Sequence, residues 1–221
     1  MIVNVLSAGA VSPGLSKVIE RFRRDRGCEV NVTFATAPAI RNRIDEGTAL
    51  DIVIAPVELL DELLPNVKTT VPIGQIGVGV AIRNGAATPK IATVPEFTQT
   101  LLEADSVVYN QASTGTYLER LFETLTVSDR IKGKTTRYPD FAAVRNHVAN
   151  GKGNEIGLGA TTVIIESREI TFAGPLPEEI QNYTTYAAKL LADDSKSDAT
   201  ALFRFLAEST ARALFNAAGI A

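Results

Sequence analysis

The 221 residues carry a formal charge of −3, with 45% apolar and 21% charged side chains, the composition of a globular chain with no basic footprint for nucleic acid. Cys28 is the only cysteine, which excludes an intrachain disulfide, a thiol redox pair and a cysteine-based zinc site. The length suits one large domain or two lobes of about a hundred residues each.

The elements follow in chain order. A strand over Ile2 to Leu6 leads through Ser12 and Pro13, read as helix cap and first helical residue, into a helix with Leu15, Val18, Ile19 and Phe22 at helical spacing, closed by Gly27. Val30 to Phe34 alternates as a strand, and Pro38 opens a second helix that ends at Gly47. Asp51 to Ile54 is a short buried-type strand, followed at Pro56 by a helix over Val57 to Leu64. A β-α-β-α rhythm of this kind implies a parallel sheet covered on both faces.

From Thr70 to Ile82 the pattern becomes one longer β-rich stretch with glycines, read as a crossover. A second series follows: a helix from about Pro95 to Glu103, a strand over Ser106 to Tyr109, and a helix from Thr114 carrying Leu118, Leu121 and Phe122. Then come a helix with Phe141, Val144 and Val148, a strand over Glu155 to Leu158, a short helix from Thr161, and a strand near Ile170 to Ala173. Asn182 to Leu190 reads as the return crossover, and two amphipathic helices end the chain. The predicted fold is α/β: two doubly wound α/β lobes, 1–81 with 190–221 and 82–189, joined by two crossover strands with a ligand cleft between them.

Five segments between a strand and a helix contain no Asp, Glu, Lys or Arg: Leu6 to Gly14, Phe34 to Ile40, Ile54 to Val57, Tyr109 to Tyr117 and Gly157 to Val163. Small, uncharged loops at the carboxyl ends of strands place backbone N–H groups at helix N-termini, where the dipole favours an anion. The candidate ligand contacts are Ser7, Ala8, Gly9 and Ala10 in the first loop, Thr36 and Ala37 in the second, and Ala55 in the third. Asn110, Ser113, Thr114 and Gly115 represent the fourth, and Thr161 the fifth. Arg41, one turn into the second helix, is a second-rank candidate for a carboxylate, as is Tyr117.

Other motifs fall away. His147, the single histidine, lies on a helix with no partner cluster in sequence, so neither a metal site nor a Ser-His-Asp triad is read from it. Gly133-Lys134-Thr135 ends like a P-loop, but Ser128 stands where its first glycine belongs, and Gly151-Lys152-Gly153 has the wrong spacing for a dinucleotide fingerprint. No cofactor and no metal are expected.

The stretches Val5-Leu6-Ser7-Ala8-Gly9-Ala10-Val11, Phe34-Ala35-Thr36-Ala37-Pro38, Arg43-Ile44-Asp45-Glu46-Gly47, Asp51-Ile52-Val53-Ile54-Ala55 and Ser113-Thr114-Gly115-Thr116-Tyr117, with Tyr183, resemble the periplasmic molybdate-binding proteins and, more broadly, the type II periplasmic solute-binding subunits of ABC transporters. The resemblance spans essentially the whole chain. It implies capture of a small anion by N–H and hydroxyl donors, with Thr114 offering its backbone and Tyr183 its hydroxyl, and with a membrane permease as partner. A monomer is expected, and the charge gives no reason to expect nucleic acid. Where that family has a serine in the first loop this chain has Ala10, with Ser7 and Ser12 the nearest hydroxyls, and Pro38 removes an N–H from the second loop. The anion is therefore molybdate-like or a small organic acid.

The rival is an enzyme on the same scaffold, an isomerase or lyase of a small di- or tricarboxylic acid such as aconitate, using Tyr117, Tyr183 or Arg41. The sensing domain of a regulator ranks behind both, because nothing basic precedes Ile2. No stretch is long enough to span a bilayer. The location is periplasmic if a leader was removed and cytoplasmic if Met1 is the native start.

Overall fold

A computed structural model describes residues 2–192 and 197–221. The chain divides into two units, Met1–Ile76 with Thr185–Ala221, and Gly77–Thr184. The boundaries fall earlier than the lobe limits 1–81 and 82–189 read from sequence, because the strand after Gly77 pairs within the second unit and the strand after Tyr183 pairs within the first.

The first unit contains β1 (Val3–Ala8), α1 (Ser12–Arg26), β2 (Val30–Ala35), α2 (Ala37–Asp45), β3 (Ile52–Pro56), α3 (Val57–Leu63) and β4 (Thr70–Ile76). Its five-stranded sheet runs β2-β1-β3-β10-β4, where β10 (Thr184–Leu190) is antiparallel to β3. Leu15, Val18, Ile19 and Phe22 bury one face of α1, as their spacing requires, and Gly27 ends it in the left-handed conformation at φ 67°. Gly14 lets α1 approach the C-terminal helices closely; a Cβ there would sit 2.7 Å from the Phe215 ring.

The second unit contains β5 (Val78–Arg83), α4 (Val94–Glu103), β6 (Ser106–Asn110), α5 (Ser113–Thr124), α6 (Ser128–Ile131), β7 (Thr135–Tyr138), α7 (Phe141–Asn150), β8 (Glu155–Ala160), α8 (Thr161–Glu166) and β9 (Ile170–Pro175). Its sheet runs β7-β6-β8-β5-β9, with β7, β6 and β8 parallel and β5 antiparallel to both β8 and β9. Adjacent residues of β6 serve opposite faces: Val107 packs with Phe97, Leu118 and Phe122, and Val108 with Val144, Val148 and Ile164. The chain closes with α9 (Ser197–Leu206) and α10 (Ser209–Asn216) in the first unit.

Three features differ from the sequence reading. The β-rich stretch from Thr70 to Ile82 is two strands in different sheets, broken at Gly77. The strand β7 arises from Thr-Thr-Arg-Tyr, a polar run with no apolar pattern, whose place is set by pairing with β6. Ser12 is the first residue of α1 rather than its cap, because a 3-10 turn over Gly9–Val11 feeds straight into the helix and makes Val11 the capping position.

Candidate functional site

In the first unit three parallel strands end side by side. Ala8 of β1 lies opposite Ala35 of β2, and Ser7 lies opposite both Phe34 and Ile54. The chain therefore leaves one edge of the sheet at Ala8, Thr36 and Pro56 alike. Gly9 has no positive φ, and a Cβ there would meet nothing within 4 Å; the fold itself does not require glycine at that point. Thr36 is extended, and its hydroxyl makes no cap bond to α2, although Pro38 in the first turn carries no N–H.

Two expected contacts are used by the fold. Ser7 is completely buried, and its hydroxyl donates to the Ala8 carbonyl at 3.2 Å. Ala55 lies inside β3, fully buried opposite Ala187, and β3 runs through Pro56 directly into α3 with no loop between them. The sequence reading passed over Phe34, which stays 40% exposed beside this edge. Its alternation with Val30 and Val32 was visible; that β2 is an edge strand was not.

The second unit repeats the arrangement. Asn110 ends β6 opposite Tyr138 of β7, and β8 ends beside it at Ala160. The Gln111 N–H donates to the Tyr138 carbonyl at 2.8 Å, and extended Ala112 turns the chain into α5. Ser113, Thr114 and Gly115 form the first turn, with Thr114 buried. Gly115 is demanded by packing: a Cβ would stand 2.0 Å from the Asn110 carbonyl oxygen. At the neighbouring loop the Thr161 N–H already donates to Gly77 at 3.0 Å.

Tyr183 is 63% exposed, and its ring lies against Gly77. Gln181, absent from the sequence-based set, stitches this segment to β5: its amide accepts from Val78 N–H at 2.7 Å and donates to the Val78 carbonyl at 2.9 Å. The second-rank candidates are engaged. Arg41 forms a bidentate pair with Glu62 at 2.9 and 2.7 Å, and the Tyr117 hydroxyl donates to the Ile180 carbonyl at 2.5 Å, its burial pushing the phenol pKa up.

The electrostatics favour a negative guest. The first turns of α1, α2, α5 and α8 contain no acidic residue, whereas α3 carries Glu58. Near α5, Arg137 of β7 meets Glu119 at 3.0 and 3.1 Å and Thr116 at 3.4 Å, a cation that sequence reasoning missed because β7 itself was missed. Burial, and then the Glu119 carboxylate, push the Tyr109 phenol up to about 12. His147 does have partners: Nε2 lies 2.8 Å from the Ser106 hydroxyl and Nδ1 2.9 Å from that of Tyr138. The Nδ1 partner is a phenol, where a Ser-His-Asp triad would place a carboxylate. Among the described residues no three His, Cys, Asp or Glu side chains converge on a metal position.

A family model described as bacterial extracellular solute-binding protein matches residues 3–221. The chain belongs to the bacterial extracellular solute-binding protein family. Within this solute-binding fold it is similar in structure to the periplasmic molybdate-binding protein of Azotobacter vinelandii, with a TM-score of 0.77 and 17% identity over 99% of this chain and 98% of that one. The L-phospholactate-bound protein PEB3 superposes with a TM-score of 0.71 at 14% identity, covering 98% of each chain. In sequence the solute-binding chain is 26% identical to an aconitate isomerase from Pseudomonas sp over 229 aligned positions, 99% of this chain and 87% of the relative. The type II solute-binding fold is thus as the sequence resemblance implied.

Proposed function

We propose that this solute-binding protein captures a small anion in the periplasm for delivery to an ABC-type membrane permease, as a monomer and without chemical change. The observation that carries the reading is the repeated edge: in each unit parallel strands end together and lead into helices whose first turns, at α1, α2, α5 and α8, lack acidic side chains. In the first unit the backbone at Ala8, Gly9, Thr36 and Ala37 offers donors to an anion; in the second the α5 turn at Ser113 and Thr114 does so, with the Tyr183 hydroxyl in the role read from the sequence. Each bond to a charged ligand contributes about 1.5–3 kcal/mol.

Between the two anion classes, a small organic acid is the better supported. The Ser7 hydroxyl and the Thr161 N–H are spent inside the fold and Pro38 offers no N–H, so a bare tetrahedral oxyanion meets fewer donors here. Exposed Phe34 offers apolar surface to a carbon skeleton. The relatives fit an anion of either kind, since their names record molybdate, L-phospholactate and aconitate.

The aconitate isomerase relative supports a second reading, isomerisation of a small tricarboxylic acid. The engaged Tyr117 hydroxyl and Arg41 fork leave that reading without an evident acid–base pair. Thermal-shift titration with molybdate, tungstate, phosphate, citrate and cis- and trans-aconitate, followed by proton NMR of any stabilising acid incubated with the protein, separates the cases. Stabilisation by an acid that stays unchanged is expected. Interconversion of the aconitates would establish the enzyme instead, and stabilisation by molybdate alone would overturn the organic-acid assignment.

A further inference from the structure

The uncharged loops of the second unit have a cation beside them. Arg137 lies opposite Tyr109 in the parallel register of β7 and β6, so the two side chains rise on one face of the sheet, the face that α5 covers. The Tyr109 ring reaches the first turn of α5, since a Cβ on Gly115 would stand 3.2 Å from its Cδ2. Arg137 is one residue short of Tyr138, which pairs with Asn110 where the strands end. Its guanidinium meets the Thr116 hydroxyl at 3.4 Å, and Thr116 stands three residues after Ser113, about 4.5 Å along the helix axis. Two carboxylates on a short carbon chain match that separation.

The way Arg137 is held leaves room for a guest. Both Glu119 oxygens share its Nη1, at 3.0 and 3.1 Å, while Nη2 meets only the Thr116 hydroxyl among the described residues. A guanidinium holds a carboxylate best through two nitrogens at once, as Arg41 holds Glu62 with Nη1 and Nη2 at 2.9 and 2.7 Å. The Arg41 fork is filled; that of Arg137 is not. The Arg137 and Glu119 side chains are 34% and 42% exposed, so water screens their attraction and exchange for another carboxylate costs little.

We propose that Arg137 makes the anion site select acids with two or more carboxylates: one carboxylate takes the amides of Ser113 and Thr114, and a second displaces Glu119 and fills the Arg137 fork. The inference deepens the organic-acid reading of the same site and rests on it. A monoacid has no second group for the guanidinium, so Glu119 keeps it. Glu119 is then a competitor built into the fold, and the two residues act on affinity in opposite directions.

Calorimetric titration of the full chain with propionate, succinate and tricarballylate, acids with one, two and three carboxylates, tests this. The two polyacids are expected to bind at least about tenfold tighter than propionate. Arg137→Gln is expected to weaken them about tenfold or more and to leave propionate as it was, whereas Glu119→Gln tightens them about threefold or more. A pair that served only to hold α5 in place would make both variants weaken all three acids alike. Equal affinity for monoacid and polyacids, polyacid binding unchanged in Arg137→Gln, or weakened polyacid binding in Glu119→Gln would each overturn the proposal and leave the anion site standing. Absence of binding by all three acids up to about 10 mM would remove the organic-acid reading itself, and the proposal with it.

Discussion

Lys189→Met is expected to lower the melting temperature by about 5–10 °C, with no change in fold. The side chain is almost fully buried on β10, yet its ammonium meets three acceptors for its three N–H bonds: the Leu60 and Leu64 carbonyls, both at 3.1 Å, and Asp61 Oδ1 at 2.9 Å. Both carbonyls lie at the end of α3 and also accept a backbone N–H, Leu60 from Leu64 at 2.9 Å and Leu64 from Val67 at 3.2 Å, and a cation there complements the helix dipole. Methionine fills much of the volume but donates nothing, so each carbonyl loses its second, charge-assisted bond, at a total cost of about 2–3 kcal/mol. Asp61 is 66% exposed and returns to water without penalty, so the carbonyls carry the effect. Circular-dichroism melts check it; a loss below about 1 °C would mean the carbonyls find water.

The second large effect separates two glycines that look alike in sequence. Gly115→Ala places a Cβ against the Asn110 carbonyl, a backbone atom that cannot swing aside, so the first turn of α5 must shift. A stability loss of about 2 kcal/mol is expected in urea melts, together with weaker anion binding because the Ser113 and Thr114 amides move. Gly9→Ala meets no protein atom, and stability should stay within about 0.5 kcal/mol of the parent. If the first loop approaches the anion with its backbone, that same Cβ weakens binding by about tenfold. Unaltered anion affinity in Gly9→Ala would remove the first loop from the site, and a neutral Gly115→Ala would contradict the packing account.

Why did the sequence reveal so much of the fold and less of the site? Helices such as α1 and α5 announce themselves because their apolar residues recur at helical spacing and glycine or a turn closes them, a local signal. Gly77 shows the limit: one glycine-rich β pattern conceals a change of sheet, since the partner of Val78 is Ala160, distant in the chain. The strand β7 exists through its pairing with β6, and Arg137 came into view only with it.

At the site, the absence of charge was readable residue by residue. The commitments of particular donors were not. That the Thr161 N–H serves Gly77, that the Ser7 hydroxyl turns to Ala8, and that Arg41 is held by Glu62 are facts of three-dimensional proximity. The same holds for His147, whose Ser106 and Tyr138 partners lie 41 and 9 residues away. Small residues mark where an anion can be approached; only geometry says which donors are left for it.

The most direct measurement of that claim is the amide NMR spectrum of the isotopically labelled protein, recorded with and without the anion that stabilises it. The account predicts downfield shifts concentrated at the amides of Ala8, Gly9, Ala37 and Ser113 to Thr114, as charge-assisted hydrogen bonds form. Stabilisation by an anion that leaves these amides unmoved, with shifts gathered elsewhere in either unit, would contradict it.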